Sequence, residues 1–202
     1  MTAKTKDDIQ TFNRRAATYE KSRRQNLIFD RVQKIVLTLT CRDKPETVLD
    51  VGCGTGRLLR KVKEQWSDAN LIGVDPAESM IAEAKQLLPN AQFHVGMAES
   101  LPLHDASVDL VLSTMSFHHW ADQAKGISEI ARVLRTNGRF VLADIIAPFG
   151  LSMFFKHFKR SNASKTRALF AESGLNVELQ QRQWPLFSVL VVTIGRKHLY
   201  VD

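Results

Sequence analysis

Cysteine is nearly absent. Cys41 and Cys53 are the only two in 202 residues, they make no CxxC pair, and no histidine cluster neighbours them. That spacing argues against a disulfide framework and against a metal site, and the expectation is a reducing, cytoplasmic setting. Long apolar runs are also missing. The opening MTAKTKDDIQ holds no signal-peptide core, and the most apolar later stretch, 140–155, is broken by Asp144, Pro148 and Gly150, so no membrane span is expected. The 10 glycines and 6 prolines are scattered rather than gathered into a linker, and no repeat or low-complexity tract occurs. A single domain over 1–202 is the simplest organisation.

What is present is an ordinary globular composition, 44% hydrophobic and 24% charged, enough to bury a core without cross-links. The charge is unevenly divided. Residues 1–46 carry 11 Lys and Arg against 6 Asp and Glu, residues 47–144 carry 9 against 12, and residues 145–202 carry 8 against 3. A mildly acidic centre between basic ends suits a neutral or cationic ligand in the middle and an anionic partner at the flanks, or simply a solvated surface.

From residue 47 short β-branched apolar runs alternate with longer stretches of helical period, the pattern of a parallel α/β sheet. The runs are TVLDV (47–51), LIGVD (71–75), AQFHV (91–95), VDLVLST (108–114) and GRFVLAD (138–144). Helices over about 57–66, 77–87 and 121–135 supply the crossovers that parallel neighbours require. A further helix over 164–173 ends at Gly174, and VELQQRQW and FSVLVVTIG, linked tightly through Pro185, read as an antiparallel hairpin. The first 40 residues look helical. Phe12, Ala16 and Tyr19 share one face, and Ile28, Val32, Ile35 and Val36 share another.

VLDVGCGTGRL (48–58) runs from a strand through Gly52, Gly54 and Gly56 into a helix. Glycines at alternate positions let the backbone turn sharply and lie against a ligand with no Cβ between. The spacing is not the GxGxxG of a dinucleotide loop, since Arg57 stands where the last glycine would be, and no Lys-Ser/Thr follows as in a nucleoside-triphosphate loop. Asp50, at the carboxyl end of the strand, would repel a phosphate and pair with an ammonium. Asp75, ending the second strand 19 residues beyond Gly56, stands where two ribose hydroxyls would be held. These features describe a nucleoside joined to an amino acid.

The chain resembles the class I S-adenosylmethionine-dependent methyltransferases, on the small-molecule side that includes quinone-biosynthesis enzymes. VLDVGCGTG matches that family's glycine motif, GVDPAESM its ribose motif, LPLHDASVDLVLSTMSFHHW its fourth-strand region, and EIARVLRTNGRFVLAD the helix and fifth strand that follow. The likeness covers about 47–144 well and the ends loosely. It implies a Rossmann-like, seven-stranded, mostly parallel sheet with helices on both faces and an antiparallel carboxy-terminal hairpin. It also implies S-adenosylmethionine as cofactor, held by Gly52, Cys53, Gly54, Thr55 and Gly56, with Asp50 near the methionine amine and Asp75 on the ribose. Pro76 and Met80 would touch the adenine, with Met97, Ala98 and Glu99 along its edge. Many relatives carry aspartate where this chain has Met97, so an adenine hydrogen bond passes to Ala98 or Glu99; alternatively Glu99 starts a helix and faces solvent. Ser113 and Thr114 would line the methionine end. Tyr19, in FNRRAATYE, resembles the tyrosine of an amino-terminal arm that closes over the cofactor, and packs a helix on the plainer reading.

SFHHW (116–120) follows the fourth strand, where a carboxyl-end loop faces the crevice. His118 and His119 are candidate general bases because imidazole titrates near neutrality; packing and helix capping compete for both. Asp144 reads as a solvated strand end or as an acceptor-orienting group. No Asn-Pro-Pro-aromatic run and no Pro-Cys pair occurs, which demotes adenine or cytosine methylation of nucleic acid. The expected partner is a small-molecule acceptor, hydrophobic or anionic. An RNA acceptor and a non-catalytic cofactor-binding protein are the alternatives. Acceptor recognition is assigned to the 1–40 arm, acting as a lid, and to 145–163, where Phe149, Met153, Phe154, Phe155 and Phe158 sit among Lys156, Lys159 and Arg160.

Overall fold

The computed structural model describes residues 3–146, 163–183 and 189–198. Two helices lead: α1 (Ala3–Arg15) and, after a 3-10 turn at Ala16–Lys21, α2 (Arg23–Leu39). The strand-helix alternation follows as β1 (Thr47–Val51), α3 (Arg57–Gln65), β2 (Asn70–Asp75), α4 (Glu78–Leu87), β3 (Gln92–Val95) and β4 (Val108–Thr114). After a 3-10 turn at Phe117–His119 come α5 (Gln123–Val133), β5 (Leu134–Ile146), α6 (Ala163–Glu172), β6 (Leu175–Gln183) and β7 (Val189–Lys197). The seven strands pair in the order β3-β2-β1-β4-β5-β7-β6. All pairings are parallel except those of β7, which runs antiparallel to both β5 and β6.

Alternation along the strands builds two cores. Leu49 and Val51 of β1 and Phe140 and Leu142 of β5 face α5 and α6. Val48 of β1 and Val141 and Ala143 of β5 face α2, α3 and α4 through Val36, Leu59 and Ala84. A strand buried on both faces reads as a continuous apolar run, which is why these segments stand out in the sequence. Strand order reverses between β1 and β4, opening a crevice at their carboxyl ends.

The boundary between the fifth helix and the fifth strand differs from the sequence reading. The helix expected to reach 135 stops at Val133, and the fifth strand begins at Leu134 rather than 138. Leu134 is extended and pairs with Val108, and the register slips before Leu110 meets Arg139, with Asn137 at φ 64° in the slip. Helical spacing of apolar residues through Leu134 hides this bulge from a periodicity argument. Gly174 closes α6 at φ 77°, as its sequence position predicts. The tight link through Pro185 lies outside the described residues, as does the expected acceptor-side segment beyond Ile146. That segment includes Phe149, Met153, Phe154, Phe155, Lys156, Phe158, Lys159 and Arg160. Among the described residues no helix is long and apolar enough to cross a membrane, and no cluster of His, Cys, Asp and Glu could hold a metal ion.

The amino-terminal helices are pinned over the crevice by their acids. Glu20 accepts from Arg60 at 2.6 and 2.8 Å and from the Thr55 hydroxyl at 2.5 Å. Asp30 pairs with Arg57 at 2.9 Å and with Lys61. Asn13 Oδ1 accepts from Ser79 N–H at 2.9 Å, at the start of α4. Burial pushes the Glu20 carboxyl up, but the bonds from Thr55 and Arg60 outweigh it and hold the group below its ordinary value.

Candidate active site

β1 delivers the chain into the glycine turn. Gly52, Gly54 and Gly56 all take left-handed backbone angles, at φ 76°, 52° and 73°. At Gly52 the conformation and the space agree: a Cβ there would stand 2.4 Å from Ser116 Cβ. The turn is fixed from below, because Gly52 and Cys53 N–H groups both donate to Val74 O, at 2.8 and 3.1 Å. Gly54 N–H donates to Asp75 Oδ2 at 2.9 Å, and Ala77 N–H donates to Asp75 Oδ1 at 2.9 Å. Asp75 therefore links the glycine turn to the start of α4.

Above the turn lies a cavity whose empty space, open mouth included, is about 1060 Å³. Asp50, Gly52, Cys53, Gly54, Thr55, Asp75, Pro76, Met80, Met97, Ala98, Glu99, Thr114 and Tyr19 line it. Asp50 is 2% exposed and its Oδ1 has no hydrogen-bond partner. Burial, reinforced by the nearby Asp75 carboxylate, pushes Asp50 up from 3.8 to about 8. Asp75 is also raised by burial, against the two N–H groups it accepts from. Burial and the same two acids push up the Cys53 thiol, which leaves it a protonated filler rather than a nucleophile. The two buried acids, with Asp50 Oδ1 left without a partner, make this end of the cavity favourable to a positive charge.

Of the predicted residues, Gly56, Ser113 and His118 are not among those lining the cavity. Ser113 is fully buried and is not among the lining residues; its hydroxyl shares a 2.8 Å hydrogen bond with Ser116, and Ser116 donates to Val51 O at 3.0 Å. The inward face of β4 thus passes the site position to Ser116. Glu99 does not start a helix: Met97 and Ser100 bridge across a tight turn, and Glu99 Oε1 accepts from Asp122 N–H at 2.9 Å, ahead of α5. Asp144 is not a solvated strand end. It is 2% exposed, accepting from His118 N–H at 2.8 Å with one oxygen and lying 2.8 Å from His118 Nδ1 with the other. His118 is consequently buried behind the wall, and of the two histidines only His119 lines the cavity.

His119 sits between the sheet and the arm. Its Nδ1 is 3.1 Å from Asp8 Oδ2, its ring meets Phe12 edge-on at 5.2 Å, and His118 lies 4.1 Å away. Burial and the neighbouring His118 lower its basicity, against the pull of Asp8 and Asp144. Tyr19 lines the cavity and stacks on Phe29 with ring centroids 6.0 Å apart.

Sequence reasoning missed Asn26, Phe29 and Gln33 of α2, Arg57, and Met115, all of which line the cavity. The spacing of Asn26, Phe29 and Gln33 was a usable signal, since residues three, four and seven apart share one helix face. Met115 carried none: it holds φ 57° at the end of β4, a strained position of the kind that collects at functional sites.

An open sheet with this glycine turn, acid pair and strand order defines a class, and the chain belongs to it: it is a class I methyltransferase. The family model for the methyltransferase domain matches residues 49–142. Among relatives, the uncharacterized methyltransferase YcgJ of Bacillus subtilis is 31% identical over 174 residues, covering 74% of this chain and 68% of that protein. The demethylmenaquinone methyltransferase of Thermotoga maritima is 32% identical over 116 residues, covering 57% and 51%. The chain thus spans about half the length of the second. Of solved structures, YcgJ superposes with a TM-score of 0.71 at 21% identity, covering 84% of this chain and 99% of that one. A Haloferax volcanii putative methyltransferase, in complex with the Trm112 activator, does so at 0.76 and 23%, covering 93% and 98%. At those identities the likeness carries the fold alone.

Proposed function

We propose that this protein transfers a methyl group from S-adenosylmethionine to a small apolar or anionic acceptor. The observation that carries the reading is the unpartnered Asp50 carboxylate, buried beside Asp75 under the glycine turn. A cationic nucleoside satisfies it and a diphosphate does not. In this reading Asp75 holds the ribose hydroxyls, and Asp50 takes the amine. Pro76, Met80, Met97 and Ala98 enclose the adenine, with Glu99 at its edge. The bound sulfonium supplies an already activated methyl group, so the chain's own work is alignment and exclusion of water.

Phe12, Tyr19 and Phe29 supply that exclusion from the amino-terminal arm, and an aromatic roof suits a compact acceptor better than a nucleic-acid strand. The arm over 1–40 serves as the lid of a single domain. The named activity of the Thermotoga relative is in keeping with an apolar acceptor. Melting curves test the donor: S-adenosylmethionine and S-adenosylhomocysteine should raise the melting temperature while NAD and ATP leave it unchanged. A shift with ATP or NAD alone would reject the reading.

In this reading His119 takes a proton from the acceptor, a role supported by its place on the cavity wall and by burial, which lowers its basicity and favours the neutral ring. Its replacement, His119→Gln, should lower kcat about 100-fold or more while donor affinity stays within a factor of two or so. An unchanged kcat removes His119 from proton transfer.

A further inference from the structure

Among the described residues, three buried side-chain polar atoms lack a hydrogen-bond partner: Asp50 Oδ1, Gln33 Oε1 and Arg57 Nε. All three side chains line the same cavity. The family likeness accounts for Asp50 alone. Gln33 comes from α2 and is 5% exposed, so its carbonyl has lost water and gained nothing from the protein. Arg57 is held differently. One of its terminal nitrogens donates to Asn26 Oδ1 at 2.7 Å and the other to Asp30 Oδ2 at 2.9 Å, which fixes the guanidinium and leaves Nε–H unused.

The three unused atoms differ in what they offer. Two are acceptors, on Asp50 and Gln33, and one is a cationic donor, on Arg57. A single small group complements that set: an α-amino acid, whose ammonium offers several N–H donors and whose carboxylate takes a charge-assisted bond from arginine. We propose that Gln33 and Arg57 select the zwitterionic end of the methyl donor, Gln33 Oε1 accepting from its ammonium alongside Asp50 and Arg57 Nε–H donating to its carboxylate. The inference rests on the donor reading above and adds to it a specificity determinant on α2. Because Asn26 and Asp30 of α2 also orient Arg57, the same helix that roofs the cavity sets both halves of the clamp.

Two nucleosides isolate the effect. S-Adenosylhomocysteine carries the amino-acid end and 5′-methylthioadenosine lacks it, while ribose and adenine are shared. Titration calorimetry should show that Gln33→Leu weakens S-adenosylhomocysteine binding about tenfold or more and leaves 5′-methylthioadenosine unchanged. That second affinity also certifies the fold. Gln33→Glu, which keeps an acceptor in place, should retain tight S-adenosylhomocysteine binding. Arg57→Lys keeps a cation for Asp30 but replaces Nε–H by a methylene, and should cost S-adenosylhomocysteine more than its decarboxylated analogue. If Gln33→Leu keeps the parent's preference between the two nucleosides, or weakens both equally, the clamp is overturned while the donor reading stands. A parent protein that binds neither nucleoside overturns the donor reading itself.

Discussion

Asp75→Ala should lower S-adenosylhomocysteine affinity by at least about 100-fold, because two kinds of interaction are lost together. In the proposed reading the carboxylate accepts from both ribose hydroxyls. It also accepts from Gly54 and Ala77 N–H at 2.9 Å each, so it ties the glycine turn to α4. Removing it leaves two N–H groups facing an emptied space and loosens the turn on which the nucleoside would lie. Thermal melting with and without S-adenosylhomocysteine measures the result: the ligand-induced shift should vanish in the variant. A variant that shifts like the parent would show that Asp75 holds no ribose.

Donor binding should strengthen with rising pH, and Asp50 is the reason. Burial and the Asp75 charge raise its carboxyl from 3.8 to about 8 in the free protein. The folded state therefore holds a proton that the unfolded chain releases. Its contribution to stability is full below about pH 4 and is lost as pH climbs toward about 8. Asp75 is displaced in the same sense by burial. An arriving ammonium reverses the balance at Asp50, favouring the carboxylate and expelling the proton. S-Adenosylhomocysteine affinity should then rise by up to about tenfold per pH unit between about pH 6 and 8. Calorimetry in buffers of different ionisation enthalpy should register the released proton at pH 7. In Asp50→Asn both the proton release and most of the pH slope should disappear, and the unliganded variant should be more stable than the parent at pH 8. Persistence of the slope in Asp50→Asn would assign it to another group.

Some of the site was legible before any fold was known, for a local reason. The glycine turn, Asp50 and Asp75 lie at the ends of strands whose apolar runs announce themselves, so their place on the crevice follows from chain position. The histidine pair was legible only as a pair. Which one faces the cavity depends on Asp144, 26 residues away, and the choice of a solvated or buried Asp144 turns on the neighbours of β5. Ser113 and Ser116 were likewise separable only by the backbone turn after β4, where Met115 takes a positive φ.

The sequence alone determined the layered α/β architecture and the character of the glycine turn, because strand and helix periodicities and glycine's missing Cβ act over a few residues. It also determined the acid at each of two strand ends. Tertiary structure decided which side chains share the cavity. Gln33, Arg57 and Asp50 carry complementary unused atoms only because α2 is clamped across α3 by Asp30 and Asn26, contacts spanning about thirty residues of chain. Hydrogen bonds left unmade at that distance have no signature in a linear pattern, since each is defined by what the rest of the fold withholds.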